Sequence, residues 1–425
     1  MLDIKLIREN PDVVRRDLEK RRKPEKLALL DELLKRDKEW RRLTTEVNKL
    51  RHRHNIVTAQ IAEKKKKGKD ASKEISEAKE IPAKIKKLEG KVEEDKARIN
   101  QILLNLPNIL HESVPLGKDE TENVVLRVWG KPPKFDFKSK NHLEVASNLG
   151  LIDEERAGKV AGRGFVYLKK DLVVLDYAVM RYAMDFLVKK GYVLVEPPFM
   201  IRRKPYEGVV EMADFENVMY KIENEDLYLI ATSEHAVASM YMDEVISRKD
   251  LPIKFIGISP CFRKEVGAHG KYTKGLFRMH QFNKVEQFVF CHPEQSWKLF
   301  EEIQQSAEEL YQNLGLHHRV IEICSGDMGL IKAKSYDTEV WMADGQFREI
   351  GSNSNCTDYQ ARRLNIRFRE KEGQAPAGFV HTSNNTALAT SRTMMAILEQ
   401  YQQKDGSVII PKVLRPYMNG MEKIE

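Results

Sequence analysis

The sequence predicts an α+β protein, in which an N-terminal antiparallel helical hairpin precedes a larger domain of strands and helices. Two observations lead to this fold class. Between about residues 27 and 106, apolar residues recur with the alternating four- and three-residue spacing of a coiled coil. Farther along, runs rich in β-branched and aromatic residues alternate with longer runs of helical periodicity. We therefore divide the 425-residue chain into an N-terminal domain, residues 1–108, and a second domain, residues 109–425.

Composition and charge exclude several classes of protein. Lys plus Arg exceed Asp plus Glu by 72 to 64, so the chain is mildly basic. The sequence has no 18-residue apolar span and no signal-peptide pattern, so we expect neither a membrane protein nor a secreted one. Its 4 cysteines lie far apart without CxxC spacing, which argues against a zinc site and a disulfide framework. We expect a cytoplasmic protein in a reducing compartment.

The predicted hairpin consists of two heptad series separated by a short basic turn, Gly68-Lys69-Asp70. The first series comprises Leu33, Trp40, Val47, His54 and Ile61, with Leu29, Leu43, Leu50 and Val57 in the partner seam. The second comprises Ile81, Ile85, Leu88, Val92, Asp95, Ile99, Ile102 and Leu106. Two such runs around a short turn predict antiparallel helices, each roughly 50 Å long at about 1.5 Å per residue.

Five lysines are concentrated at the predicted tip of this hairpin: Lys64, Lys65, Lys66, Lys67 and Lys69. The cluster is a candidate contact for the phosphate backbone of a nucleic acid. A solvated helix end is the simpler explanation of a lysine run taken alone, and the coiled coil could instead serve dimerisation. The heptads themselves do not indicate RNA.

The densest group of candidate functional residues lies between Pro260 and Glu286. A predicted strand, residues 251–259, leads into a loop with Gly267, Gly270 and Gly275 among basic residues. Such a loop lets the backbone approach phosphate oxygens closely. Residues 276–289 predict a returning strand. The stretch therefore predicts a hairpin around a phosphate-binding loop.

Three side chains of this hairpin suit a nucleotide and an amino acid. Arg263 offers a planar fork to a phosphate or carboxylate. Phe282 offers an aromatic face to a base, and Glu286 offers an acceptor to an ammonium group. A ladder of solvated charges on an exposed hairpin is the alternative.

Further elements are predicted on both sides of this stretch. The predicted helices are Leu172 to Lys190 with Gly191 after its end, His235 to Ile246 with Thr232 as N-cap, Glu294 to Leu314, and Leu388 to Gln402. The predicted strands are Tyr192 to Glu196, Tyr228 to Ala231, Arg319 to Ile323 and Tyr336 to Trp341.

Two later polar clusters carry candidate ligands. Glu349 and Ser352 can offer a carboxylate and a hydroxyl to Mg²⁺ that is already bound by phosphates. Asn384, Asn385 and Thr386 precede Arg392, which we interpret as a contact for phosphate or adenine. An ordinary arginine on a helix surface is the alternative.

Four blocks of the chain, in the right order, resemble the seryl branch of the class II aminoacyl-tRNA synthetases. Residues 260–286, PCFRKEVGAHGKYTKGLFRMHQFNKVE, resemble motif 2. The helix, glycine and strand that end at Pro198 resemble motif 1, and residues 381–392 resemble motif 3. Residues 347–363 form the fourth block, and the resemblance covers nearly the whole chain.

The resemblance implies a class II catalytic domain, an antiparallel sheet with flanking helices, and an N-terminal coiled-coil arm. It implies the common zinc-free form of the family, working as a homodimer around motif 1. The implied enzyme is an ATP-dependent, AMP-forming serine–tRNA ligase that uses Mg²⁺. It activates L-serine as seryl-adenylate and transfers serine to the 3′ end of tRNA(Ser), whose long variable arm the coiled coil reaches. Neither DNA nor a membrane is an implied partner.

The resemblance also assigns site residues in this sequence. The catalytic residues are Arg263, Glu265 and Arg392. The serine-binding residues are Thr232, Ser233, Glu234, Arg263, Glu286, Asn384 and Thr386. The ATP-binding residues are Arg263, Lys264, Glu265, Met279, Phe282, Glu349, Ile350, Gly351, Ser352 and Arg392, with Glu349 and Ser352 also holding Mg²⁺. Which serine-binding residue meets the hydroxyl and which the ammonium stays open.

Two rival functions stay open beside this one. The first is a paralogue that activates a small amino acid and transfers it to a carrier protein. The second is a catalytically inactive relative that binds tRNA. The sequence also departs from residues usual in the family at Ser233, His269, Tyr272, Ser383 and Asn385-Thr386.

Overall fold

The computed structural model describes residues 1–211, 217–265 and 275–425. The chain divides into two compact units, residues 2–107 and residues 108–425, the second of which includes Met1. Most of the predicted phosphate-binding loop, including Gly267, His269, Gly270 and Tyr272, lies outside the described residues. Within the described ranges, no helix is both long and apolar enough to cross a membrane.

The first unit is helical. Its helices are α1 (Ile4–Glu9), α2 (Pro11–Lys20), α3 (Pro24–Lys66) and α4 (Ser72–Asn105). Pro11 occupies the first turn of α2, where the missing amide hydrogen costs nothing. Ion pairs between α3 and α4 join early residues of one helix to late residues of the other: Arg36 to Asp95 at 2.8 Å and Lys64 to Glu74 at 2.7 Å. The two long helices are therefore antiparallel, as the heptads predict.

Every predicted heptad position is buried or half-buried. Leu33, Leu43, Val47 and Val57 are buried on α3, as are Ile81, Ile99 and Ile102 on α4. At the start of α3 the prediction is wrong by one residue, because Leu30 is fully buried whereas Leu29 is only half-buried. Helix α2 packs against this end of α3, with an Arg15–Asp31 ion pair at 2.5 Å. The two-helix pattern therefore does not hold there.

The second unit is built around an eight-stranded sheet with the order β1-β10-β11-β12-β15-β9-β8-β4. Its strands are β1 (Val124–Trp129), β4 (Val193–Val195), β8 (Ile253–Phe262), β9 (Gln281–Cys291), β10 (His318–Glu322), β11 (Lys334–Trp341), β12 (Phe347–Thr357) and β15 (His381–Ala389). All neighbours are antiparallel except β4 and β8.

Helices and short strands complete this unit. The helices are α5 (His142–Asn148), α6 (Glu154–Ala161), α7 (Asp171–Lys189), α8 (Arg203–Val209), α9 (Ser233–Ala238), α10 (Ser296–Asn313), α11 (Tyr359–Leu364) and α12 (Thr390–Gln400). The short strands are β2 (Ile152–Asp153), β3 (Tyr167–Leu168), β5 (Met200–Ile201), β6 (Tyr228–Leu229), β7 (Val245–Ser247), β13 (Arg367–Arg369), β14 (Gly378–Phe379), β16 (Val408–Ile409) and β17 (Lys423–Ile424).

The central strands separate two hydrophobic cores. Val285 and Val289 of β9 belong to the core that includes buried residues of α7, α10 and α12. Phe288 and Phe290 of the same strand belong to a second core with residues of α8, α9 and α11. Because side chains alternate along a strand, each face of β9 serves a different core. Glu286, one of the predicted site residues, lies on the same face of β9 as Phe288 and Phe290.

Two predicted boundaries are wrong. The helix predicted from His235 to Ile246 is α9, which ends at Ala238, and Ile246 lies in strand β7. The Ser239 hydroxyl donates to the His235 carbonyl at 2.9 Å, and Asp243 has a φ of 64°, which a helix does not allow. The returning strand starts at Gln281 rather than at residue 276.

Candidate active site

The candidate site lies on one face of the central strands. Phe282 and Glu286 of β9 are four residues apart and so lie on the same face. Glu286 is paired across the strands with Thr386 of β15, and Asn384 lies two residues before Thr386 on that face. The antiparallel pairing therefore joins the motif 2 and motif 3 residues that the sequence separates by about a hundred positions.

A cleft at this place is lined by many of the predicted residues. They are Arg263, Glu265, Met279, Phe282, Glu349, Ile350, Gly351, Thr386 and Arg392. Lys264 and Ser352 are not among the residues that line this cleft, and the backbone amide of Lys264 donates to the Val218 carbonyl at 3.0 Å. The structure thus brings predicted site residues of strands β9, β12 and β15, of helix α12 and of the segments that follow β8 and precede β9 to one cleft.

A β-bulge explains how Glu349 and Ser352 come together. Residues three apart on a regular strand lie on opposite faces. In β12, Gly351 pairs with Thr338 and Glu349 pairs with Glu339, so Ile350 is an extra residue in the ladder. Glu349 and Ser352 consequently share a face. The carboxylate and the hydroxyl fit the one or two protein ligands that Mg²⁺ usually takes when phosphates supply the others.

Arg392 holds Glu349 in position. Its Nη1 donates to the Glu349 carbonyl at 2.9 Å and lies 3.3 Å from the Glu349 Oε1. The guanidinium also lies 4.9 Å from the centroid of the Phe277 ring. The charge of Arg392 lowers the pKa of Glu349, so this carboxyl is ionised at neutral pH and can bind a metal cation.

Arg263 lies just beyond the end of β8. Its Nε donates to the Ala231 carbonyl at 3.2 Å, and its guanidinium lies 5.3 Å from the centroid of the Phe282 ring. Its backbone amide donates to the His280 carbonyl at 3.0 Å. These contacts hold an arginine beside the aromatic face that was predicted to meet a base. The arrangement is suited to an anion attached to an aromatic group.

Glu234 forms the floor of a second, smaller group of polar residues. Thr232 caps α9 by accepting from the Glu234 amide at 3.2 Å. The Glu234 Oε1 accepts from Asn384 Nδ2 at 3.1 Å and from Gln360 Nε2 at 3.0 Å. Burial, and next the charge of Glu286, raise the pKa of Glu234. A cation bound here would stabilise the ionised carboxyl.

Ser233 is placed differently from its neighbours. Its side chain is fully buried, and its hydroxyl donates to the Gly257 carbonyl at 3.1 Å. A Cβ on Gly257 would lie 2.6 Å from the Ser233 Oγ, so this close approach requires glycine. The hydroxyl of Ser233 therefore fastens α9 to β8, and a ligand contact by Ser233 falls to its backbone.

Comparison with known proteins shows the family of this chain. The model of the family described as "Seryl-tRNA synthetase N-terminal domain" matches residues 1–110. That described as "tRNA synthetase class II core domain (G, H, P, S and T)" matches residues 217–401. The serine–tRNA ligase of Methanocella arvoryzae is 55% identical over 423 residues, which is 99% of this chain and all of the relative. The chain belongs to the seryl-tRNA synthetase family.

Solved structures of the seryl-tRNA synthetase family match this chain over its full length. The enzyme of Pyrococcus horikoshii, crystallised with ATP, has a TM-score of 0.95 at 49% identity and covers 100% of this chain and 99% of its own. The cytoplasmic serine–tRNA ligase of Naegleria fowleri, in complex with AMP, has a TM-score of 0.90 at 36% identity, with the same coverage. The predicted family and fold class are confirmed.

Three residues near the seryl-tRNA synthetase site were missed by the sequence analysis. Lys284 lies between Phe282 and Glu286 on the site face of β9, and the period-2 alternation could have revealed it. Asp337 is paired with Ser352 across β11 and β12, and burial, with Glu349 next, raises the pKa of its carboxyl. Gln360 of α11 reaches Glu234, and no pattern in its segment indicates that contact.

A separate cavity of about 360 Å³ adjoins the cleft at Phe282. Residues between 157 and 168, from α6 and β3, form one wall of this cavity. Asp176 of α7 lines it as well and accepts from Asn283 Nδ2 at 2.7 Å. Residues of this wall, to which the sequence analysis assigns no role, thus lie next to Phe282, the predicted adenine contact.

The five predicted RNA-contacting lysines lie at the turn between α3 and α4. Lys65, Lys66 and Lys69 are exposed. Lys64 pairs with Glu74 at 2.7 Å, and Lys67 pairs with Glu63 at 2.5 Å. Two of the five charges are therefore partly neutralised within the arm, which leaves the other three as the stronger candidates for phosphate contacts.

Proposed function

We propose that this protein charges tRNA(Ser) with L-serine in two steps that consume ATP. The observation that carries this proposal is the placement of two groups on one sheet face. The carboxylates of Glu234 and Glu286 are suited to an amino acid, and Arg263, Phe282, Glu349 and Arg392 are suited to a nucleotide. The two groups meet at β9, so a serine carboxylate and an ATP α-phosphate would be adjacent.

In the first step, the serine carboxylate attacks the α-phosphorus of ATP and pyrophosphate leaves. Both reactants are anions, so the reaction needs positive charge between them. Arg263 supplies it while Phe282 holds the adenine by stacking. Arg392 adds charge on the other side of the nucleotide. No side-chain nucleophile is required, because positioning and electrostatic stabilisation account for catalysis.

Glu349 and Ser352 would hold Mg²⁺, which supplies charge to the phosphates when bound. We expect Glu349→Gln to raise the Mg²⁺ concentration for half-maximal pyrophosphate exchange about tenfold, because a neutral amide binds the cation less well. A Mg²⁺ titration of the exchange rate measures this. Glu339→Gln, on the partner strand, is the control, and an unchanged Mg²⁺ requirement in Glu349→Gln would contradict the assignment.

Serine is selected by polar groups. Glu234 and Glu286 are acceptors for the ammonium, and Thr386 and Asn384 lie beside them. A pocket that hydrogen-bonds the serine hydroxyl rejects alanine, because alanine leaves the buried partner of that hydroxyl unpaired. Threonine is rejected because of its extra methyl group. The methyl group of Thr386 makes the pocket smaller still.

In the second step, seryl-adenylate passes serine to the terminal ribose of tRNA(Ser). We propose that the α3–α4 hairpin holds this tRNA, with Lys65, Lys66 and Lys69 at its tip. Support comes from the exposure of these lysines and from the family model that covers residues 1–110. We further propose that the enzyme is a cytoplasmic homodimer whose interface includes motif 1.

The direct test is charging of bulk tRNA with labelled serine in the presence of ATP and Mg²⁺. We expect serine to be charged at least about 10³-fold faster than alanine or threonine at equal concentration. Activation of serine without transfer to tRNA would favour the carrier-protein paralogue. The absence of serine-dependent pyrophosphate exchange in folded protein would favour the inactive relative.

A further inference from the structure

Lys284 lies at the junction of the two parts of the site. It shares the site face of β9 with Phe282 on one side and Glu286 on the other. Its partner across the strands is Ser259 of β8. Lys284 is 5% exposed and still lines the cleft that Arg263 lines. A buried lysine thus lies between the residue assigned to adenine and the residue assigned to the ammonium of serine.

The ammonium of Lys284 is paired with Glu286. Its Nζ lies 2.6 Å from Glu286 Oε2, and Thr386 Oγ1 donates to the same oxygen at 3.1 Å. Both members of the ion pair are buried. An incoming serine ammonium would therefore compete with Lys284 for the same carboxylate.

Other charged groups surround this lysine on neighbouring elements. Glu234 and His235 on α9 and Cys261 of β8 interact electrostatically with Lys284. Arg263 also acts on His235 and Cys261 and lines the same cleft as Lys284. Burial keeps His235 neutral by lowering its pKa, and it raises the pKa of the Cys261 thiol. Among the described residues, the carboxyl groups of Glu234 and Glu286 and the guanidinium of Arg263 therefore lie near Lys284, and Glu265, Arg278, Glu349 and Arg392 line the same cleft.

We propose that Lys284 is a second cation of the reaction centre and that the binding of serine releases it from Glu286. In the free protein Lys284 neutralises Glu286. When the serine ammonium takes Glu286, the Lys284 ammonium turns to the serine carboxylate and the α-phosphate. The inference rests on the proposed function, and it makes Lys284, in addition to Arg263, a residue that contacts the reacting groups.

The spacing of the strand supports this movement. Residues two apart on a strand are separated by roughly 6.6 Å, so an amino acid bound by Glu286 presents its carboxylate near Lys284. Lysine has a flexible four-carbon stem, and its ammonium can reach a new partner without movement of the backbone. A buried ammonium that loses its carboxylate partner is costly, so Lys284 must find another anion. The reacting carboxylate and phosphate are the anions that arrive with the substrates.

Charge balance points the same way. The site without substrates pairs Lys284 with Glu286 and leaves Glu234 for an incoming cation. Serine brings one ammonium and one carboxylate, and ATP brings an α-phosphate. Arg392 is assigned to the other side of the nucleotide, so Arg263 would face the two anions at the point where they approach each other. With Lys284 released from Glu286, two cations face the two anions at the moment of attack.

The test compares Lys284→Met with Lys254→Met. Lys254 is a matched control, because it lies on the adjacent strand β8 and pairs with Glu302 at 2.5 Å, outside the cleft. Two quantities are measured: the rate constant of serine-dependent pyrophosphate exchange, and the Kd of serine by calorimetry without ATP. Binding of a non-reactive sulfamoyl analogue of seryl-adenylate gives a third readout that does not depend on turnover.

For Lys284→Met we expect the exchange rate constant to fall about 10²-fold, as for loss of one preorganised donor to a transition-state oxyanion. The Kd of serine should stay unchanged or decrease, because a competitor for Glu286 has been removed. The analogue should bind at least about tenfold more weakly. Lys254→Met should match the wild type in all three.

Two results would overturn the proposal. One is a Kd of serine that rises with the exchange rate constant preserved, which would make Lys284 only a fixed counterion of Glu286. The other is wild-type exchange and analogue binding. If Lys284→Met does not fold, Lys284→Gln carries the same expectations. Failure of the proposed function is distinct, because the wild-type protein itself would then show no serine-dependent exchange.

Discussion

Replacing Arg263 by alanine is expected to lower the rate of serine-dependent pyrophosphate exchange by about 10³-fold. The guanidinium is the group best placed to bridge the serine carboxylate and the α-phosphate, and removal of one such charged donor costs this much in other enzymes. Because its contribution is made in the transition state, the loss should fall on kcat more than on the KM for serine. Steady-state exchange kinetics with varied serine and ATP separate the two.

The fold should survive this substitution. Through its side chain, Arg263 donates one hydrogen bond to the Ala231 carbonyl and lies over Phe282, so truncation should cost about 1 kcal/mol of the free energy of unfolding. Arg248→Ala is the control, since that arginine is ion-paired with Glu294 and Glu370 on the surface. Near-normal exchange in Arg263→Ala would contradict its role.

Shortening the helical hairpin is expected to abolish tRNA charging and to spare serine activation. The ion pairs of Arg36 with Asp95 and of Glu32 with Arg98 set the register at the base of the arm. Removal of residues 48–86, with Val47 joined to residue 87 through a Gly-Ser turn, keeps both pairs. We expect kcat/KM for tRNA to fall at least about 10²-fold, because the arm no longer reaches the phosphates of the tRNA. Pyrophosphate exchange should stay within about twofold of the wild type.

A second variant distinguishes the effect of the length of the hairpin from the effect of the positive charge at its tip. Combined alanine substitution of Lys65, Lys66 and Lys69 leaves the arm at full length but removes three exposed cations from its tip. The dependence of log kcat/KM on log salt concentration should become shallower by about two to three, close to one for each phosphate that is no longer neutralised. An unchanged slope would move the RNA contact to another part of the arm. Loss of exchange together with charging in the shortened protein would show that the arm supports the catalytic unit.

The sequence predicts the helical arm well because its seam follows one rule of spacing. The prediction weakens where a third element joins, as at Leu30, which precedes the residue of α3 that is ion-paired with Arg15 of α2. The helix predicted beyond Ala238 shows a second limit: residues 239–246 have helical composition, yet Asp243 donates its amide to the Leu364 carbonyl of a distant segment. Such tertiary hydrogen bonds are invisible to local propensity.

The site shows the same division between local and non-local information. Glu234, Glu286 and Arg263 are found from motifs that lie within single segments. Gln360 and Asp337 enter the site only through pairing of segments that are far apart along the chain. Lys284 falls between these cases. Strand alternation predicts the face on which it lies, but its ion pair with Glu286 alone would suggest a purely structural role rather than the catalytic role proposed above.

The extra residue in β12 decides whether Glu349 and Ser352, the proposed metal ligands, share a face of the sheet. On a regular strand without a bulge, two side chains that are an odd number of residues apart lie on opposite faces of the sheet. Because Ile350 is an extra residue, the alternation of side chains shifts by one at this position. A residue before Ile350 and a residue after it therefore share a face when they are an odd number of positions apart. One residue inserted in β11 between Thr338 and Glu339 would give Ile350 a partner and restore the regular ladder. Glu349 and Ser352 would both stay in the sequence and yet lie on opposite faces. An intact motif would then accompany an enzyme without its cation site, and a search by sequence pattern would not detect the loss.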